Sequence, residues 1–193
     1  MKGQRHFGIN NALERCLRDS CVRQEGRVTI SHEPLLVNHA DRLPGANLVK
    51  TRADIGVTLP NGDCFLIDTS VAKPDAVARP QSATIAGAGA AADERVKTKM
   101  TKYNKNWKLH QGTKILIAAA EAGGRLHPDL IDFIKRYIKA SCSDDIMTYV
   151  YKLKATMQRI SVALRRTTSR ALMELERRAK AYPSVALAAA PQP

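Results

Sequence analysis

The 193-residue chain contains no long apolar run. Its longest apolar-looking stretch, ATIAGAGAAA, is ten residues rich in Ala and Gly, far short of the roughly 20 that span a bilayer as a helix. The opening MKGQRHFGIN is polar and holds no secretory core, so an intracellular, reduced protein is expected. No CxxC pair occurs among Cys16, Cys21, Cys64 and Cys142. Cys16 and Cys21 are five apart, a poor spacing for one metal. His32 and His39 follow only loosely, so buried or idle thiols fit better than zinc. GxxxxGK[ST] is absent, and GAGAAA lacks the strand that must precede a dinucleotide fingerprint. His110 and His127 form no recognised couple. Ser31, Ser70 and Ser82 have no evident base, which argues against a serine or cysteine hydrolase.

Acidic residues are also scarce. Lys and Arg number 31 against 18 Asp and Glu, a formal net charge of +13. A field of that size draws polyanions, nucleic acid first and anionic membrane second. With 44% hydrophobic residues the chain is long enough for one core.

Periodicity orders the elements. Ile9, Ala12, Leu13, Cys16 and Leu17 recur at helical spacing, predicting a helix over 9–24 ended by Gly26. RVTISHEPLL alternates as a strand until Pro34. Residues 38–50 read as loop. ADIGVTLP and DCFLIDTSVA read as two strands joined at Asn61-Gly62, the signature of a primed two-residue turn. Residues 74–90 read as a long loop. A helix is expected over 90–108, its stripe made by Ala92, Val96, Met100 or Lys99, Tyr103 and Trp107. TKILIAAAE is a fourth, buried strand, and HPDLIDFIKRYIKA an amphipathic helix with Leu130, Ile134 and Ile138 inward. The region after it is one long helix or two, with nine basic residues against two acidic ones over 152–180. A hairpin, a helix and a returning strand predict an α/β mixed sheet flanked by helices.

Asp54 starts one strand of the hairpin and Asp68 ends the other. Counting from the turn, the two stand opposite or nearly so. Like charges so placed repel, and a cation or a shared proton relieves them. A hard divalent ion held by carboxylates both generates a nucleophile and stabilises a leaving oxygen in phosphodiester hydrolysis. The plain alternative is two strand-edge residues facing solvent. Glu33, after the first strand, is either a third ligand or a solvated strand end. Lys99 and Lys102 share a helix face, and one of them beside the ion would neutralise transition-state charge.

These residues, in this order, resemble the restriction-endonuclease-like domain at the C-terminal end of some non-LTR retrotransposon polyproteins, a branch of the PD-(D/E)xK nuclease superfamily. The matches are Arg5-His6, Glu33-Pro34, Ala53-Asp54, FLIDTSVAKP with Asp68, the run from Lys99 through Lys102 to Tyr103, Gly123-Gly124 and QRISVALRR, together covering about residues 5–170. Ala53 replaces the proline of the pattern, and Ser70 stands where simpler members carry the catalytic lysine.

The resemblance implies a restriction-endonuclease-like core over 5–140, a basic helical extension over 141–182 and a tail over 183–193. It implies Asp54 and Asp68, with Glu33, as ligands of Mg²⁺ (or Mn²⁺), and Lys99 or Lys102 as the migrated lysine. The implied activity is nicking of target DNA for retrotransposon integration in the nucleus, in an active element or a relic fragment. DNA is the partner, RNA the second candidate, and no membrane is involved. Two rivals stand beside this reading. One is a catalytically inactive nucleic-acid-binding protein of the same fold. The other is a basic helical interaction module, which needs no carboxylate cluster at all.

Overall fold

The hairpin is the centre of the molecule. Ile55, Val57, Phe65 and Ile67 lie on one side of it and Leu66 on the other, and all five are buried. A strand with apolar side chains on both faces must be covered on both. The computed structural model describes residues 2–21, 28–46, 52–72, 89–121, 124–142 and 145–181. Within them the order is α1 (Lys2–Cys21), β1 (Thr29–His32), β2 (Ala40–Arg42), β3 (Ile55–Thr58), β4 (Cys64–Ala72), α2 (Ala90–Asn106), β5 (Trp107–Leu109), β6 (Thr113–Glu121), α3 (Pro128–Ser141) and α4 (Ile146–Ala181).

The main sheet is mixed, in the order β1-β3-β4-β6. β1 with β3 and β3 with β4 are antiparallel, and β4 with β6 is parallel over nine residue pairs. One face carries the larger core. There Leu13 and Leu17 of α1, Leu130, Ile134 and Ile138 of α3, and Ile160 and Leu164 of α4 meet Ile55, Ile67 and Ala118. Tyr137 of α3 is buried in this layer and donates its hydroxyl to the Leu17 carbonyl of α1 at 2.5 Å. The other face holds α2 and a small sheet of β2 and β5, with Leu36, Ala92, Tyr103, Trp107 and Ile117 between them.

The mixed sheet and its flanking helices are as the sequence predicts. Several details differ. The stretch 38–50 is not all loop, for Ala40–Arg42 forms β2. Its partner is Trp107–Leu109, which leaves the helix expected to run to 108. Three-residue strands have no period to read, and this pair is joined only across the tertiary structure. The hairpin turn is not the primed Asn-Gly type. Leu59 N–H donates to the Asp63 carbonyl and Gly62 N–H to that of Leu59, leaving the three residues Pro60, Asn61 and Gly62 as the loop. Positive φ falls there on Gly62 alone, at 86°. That is the longer class of hairpin loop, with glycine in the left-handed position. Helix α1 begins earlier than expected, at Lys2. The final region is one 36-residue helix, and its middle packs into the larger core, for Ile160 and Leu164 are fully buried. The end of the first helix at Gly26, most of the 74–90 loop and the 183–193 tail lie outside the described residues. No helix among the described residues is long and apolar enough to cross a membrane.

Candidate active site

β4 is apolar to Ile67 and then turns polar on the face that meets α2. Alternation puts Leu66, Asp68 and Ser70 on that face. Asp68 is 3% exposed, a position that costs heavily without partners. Helix α2 supplies them. Lys99 Nζ donates to Asp68 Oδ1 at 2.9 Å and to the Thr69 carbonyl at 3.0 Å. The Tyr103 hydroxyl donates to Asp68 Oδ2 at 3.0 Å. One turn toward the helix N-terminus, Arg95 Nε donates to Ser70 Oγ at 2.9 Å. Arg95, Lys99 and Tyr103 are spaced by four, so they share one face of α2. Four residues of helix rise about 6 Å, close to the roughly 6.6 Å of two strand residues. The two repeats match, so Arg95 meets Ser70 and Lys99 meets Asp68, two strand residues apart, while Tyr103 reaches Asp68 as well.

Asp54 comes from the neighbouring strand. The regular ladder ends at Ile55 opposite Ile67, and one further step puts Asp54 across from Asp68. The chain bends there, so Asp54 itself is outside the ladder. Asp54 N–H donates to the Ile67 carbonyl at 2.9 Å. Its Oδ2 accepts from Thr69 N–H at 2.7 Å and Thr69 Oγ1 at 2.9 Å. The carboxylate thus occupies the place of a backbone acceptor and is held beside β4. Tyr103 reports the combined charge. Burial raises its phenol pKa well above the usual range, and Asp68, both as a charge and as a hydrogen-bond acceptor, and then Asp54 push it further. The phenol therefore stays protonated and keeps donating.

The sequence-predicted residues divide. Asp54, Asp68 and Lys99 come together. Lys102 does not: it is exposed, and its carbonyl accepts from the Asn106 side chain. Three residues past Lys99, it has rotated off the face that meets β4. Glu33 does not bring its carboxylate to Asp54 and Asp68 either. Its N–H donates to the Asp54 carbonyl at 3.0 Å, so its backbone is adjacent. Its φ is 45°, however, and its side chain is 55% exposed, with His32 Nε2 and Arg52 Nη1 each 4.0 Å from its carboxylate. Among the described residues no group of three or more His, Cys, Asp and Glu is placed to hold a metal ion. The set of Asp54, Asp68 and Glu33 is therefore not assembled as a cage. Two carboxylates remain, and their chemistry fits Mg²⁺, which is commonly held by one or two carboxylates with waters and substrate phosphate oxygens. Thr69 and the Arg95–Ser70 contact were missed in the sequence. The spacing of Arg95 from Lys99 was visible there, but nothing local showed which face of the helix meets β4.

Comparison with protein-family models, with curated proteins and with solved structures finds no match to this chain.

Proposed function

We propose that this protein is a Mg²⁺-dependent DNA endonuclease of restriction-endonuclease-like architecture, the nicking domain of a retrotransposon-type element. One observation carries the reading. A buried acid, Asp68, is held by a lysine of the following helix, and a second acid, Asp54, sits just past the end of the β3–β4 ladder with its carboxylate hydrogen-bonded to the next residue, Thr69. Two carboxylates brought to the same end of β4 repel each other, and a cation between them relieves that repulsion. When bound, Mg²⁺ supplies an activated water and charge stabilisation at the phosphate.

The chain's own groups divide the remaining work. Asp54 and Asp68 would hold the ion. Thr69 orients Asp54 through two hydrogen bonds. Lys99 is a fixed positive charge beside the phosphate, stabilising the negative charge that builds there in the transition state. Tyr103 keeps the Asp68 carboxylate in one rotamer. The net charge of +13 brings the DNA to the site.

The test is nicking of supercoiled plasmid by the purified protein with Mg²⁺ or Mn²⁺. Asp68→Asn and Asp54→Asn keep the side-chain shape and remove the charge. Each is expected to lower nicking about 10²-fold or more, with duplex binding retained. A second reading is a non-catalytic nucleic-acid-binding protein on the same scaffold. It is favoured by the two hydrogen bonds that already engage both oxygens of Asp68. A wild-type protein that binds duplex DNA and never nicks it with either ion establishes that reading instead.

A further inference from the structure

Ser70 is 0% exposed, yet its hydroxyl is spent on an exposed arginine. We propose that Arg95, held in place by Ser70, anchors the DNA phosphate next to the one that lies at Asp68 and Lys99. The inference rests on the nucleic-acid reading above and not on cleavage.

The first argument is the choice of partner. Lys99 meets an acid, so much of its charge is matched inside the protein. Arg95 meets a neutral hydroxyl through Nε alone. A guanidinium carries five N–H donors. The four on its Nη nitrogens have no acceptor among the described residues. The acids at the start of α2 and the end of β6 are engaged with other groups: Asp93 lies 3.2 Å from His127 Nε2, and Glu121 accepts from Gly89 N–H at 3.0 Å. The positive charge of Arg95 is left for a ligand.

The second argument is preorganisation. An exposed arginine ordinarily loses side-chain freedom when it binds. Here a buried hydroxyl already fixes the fork, and a fixed planar fork suits the paired oxygens of a phosphate. The third is position. Arg95 is one turn from Lys99 along α2, about 6 Å, and both lean on alternate residues of β4. A strand whose one phosphate is at Lys99 brings a neighbouring phosphate past Arg95.

The experiment is fluorescence anisotropy of a short labelled DNA duplex, titrated between about 50 and 200 mM salt. Arg95→Ala is expected to weaken binding several-fold and to flatten the slope of log affinity against log salt by about 0.9, the value of one phosphate contact. Arg95→Lys keeps the charge and loses the fork, so its slope stays near wild type while affinity falls. Ser70→Ala should do the same, because it frees the guanidinium without removing it. Lys97→Ala, an exposed charge on the same helix, serves as the control and should alter the slope less than Arg95→Ala. The proposal is overturned if Arg95→Ala leaves affinity and slope unchanged, or if Lys97→Ala matches it. Circular dichroism on each variant separates lost binding from lost fold, and Arg95→Lys carries the test if Arg95→Ala does not fold. The assay needs neither metal nor nicking. An Arg95 effect without cleavage therefore removes only the endonuclease reading, whereas cleavage without an Arg95 effect removes only the anchor.

Discussion

Lys99 and Asp68 depend on each other. Their side chains are 15% and 5% exposed, and the amine to carboxylate distance is 2.9 Å. Removing one partner of such a pair strands the other charge in a poor solvent. Lys99→Ala should therefore destabilise the fold by about 3–5 kcal/mol, read from urea denaturation with circular dichroism. Adding Asp68→Asn to Lys99→Ala should restore part of that loss, because no stranded carboxylate remains. If the double variant is as unstable as the sum of the two singles, the pair is not coupled and the ionic account of this site fails. A catalytic role does not conflict with this cost, since a preorganised charge is what transition-state stabilisation requires.

At the level of elements, α4 begins on a charged cap. Asp145 accepts from Met147 N–H at 3.0 Å and Thr148 N–H at 3.2 Å, and also from the Thr148 hydroxyl. The Thr148 hydroxyl and the Met147 and Thr148 amides hold its carboxyl below the usual aspartate range. A carboxylate whose pKa is depressed in the folded state stabilises above its unfolded value, and that contribution is lost as pH falls through the folded value. Glu14 behaves alike. Burial raises it, but hydrogen bonds from Arg18 and His32 outweigh this and leave it lowered. The first turn of α4 should therefore loosen below about pH 4. Amide exchange at Met147 and Thr148, corrected for its intrinsic pH dependence, should accelerate there. Protection that stays constant down to pH 2, about two units below the unfolded value, would remove Asp145 as the cap.

Across the whole molecule, the helix expected as an extension packs its middle against the core. Ile160 and Leu164 of α4 lie in one cluster with Leu13 and Leu17 of α1 and Ile134 and Ile138 of α3. Arg159 adds an exposed ion pair to Asp19 of α1 at 2.9 Å, which contributes little by itself. Ile160→Ala should cost about 2–5 kcal/mol. The loss should appear in a single unfolding transition followed by both near- and far-ultraviolet circular dichroism. Two separated transitions would mean that α4 is an independent unit after all.

Sequence alone determined the features that repeat locally. The apolar run at the start of DCFLIDTSVA set β4, the 3.6-residue stripe of Leu130, Ile134 and Ile138 set α3, and the count from Asn61-Gly62 set Asp54 near Asp68. The ladder brings Asp54 to the end of its pairing with β4 although the turn is of another type, because the register depends on where the pairing ends and not on the dihedral angles inside the loop. Tertiary structure decided what is made by pieces distant in the chain. Residues 40–42 became a strand only because residues 107–109 lie alongside them. Lys99 rather than Lys102 reached Asp68, and Arg95 reached Ser70, because the rotation of α2 is fixed by Ala92 and Tyr103 packing into the second core. Glu33 turned out to solvent through a left-handed backbone that its own residue type gives no reason to expect. A helix sequence shows which residues share a face; only packing against a second element shows where that face points.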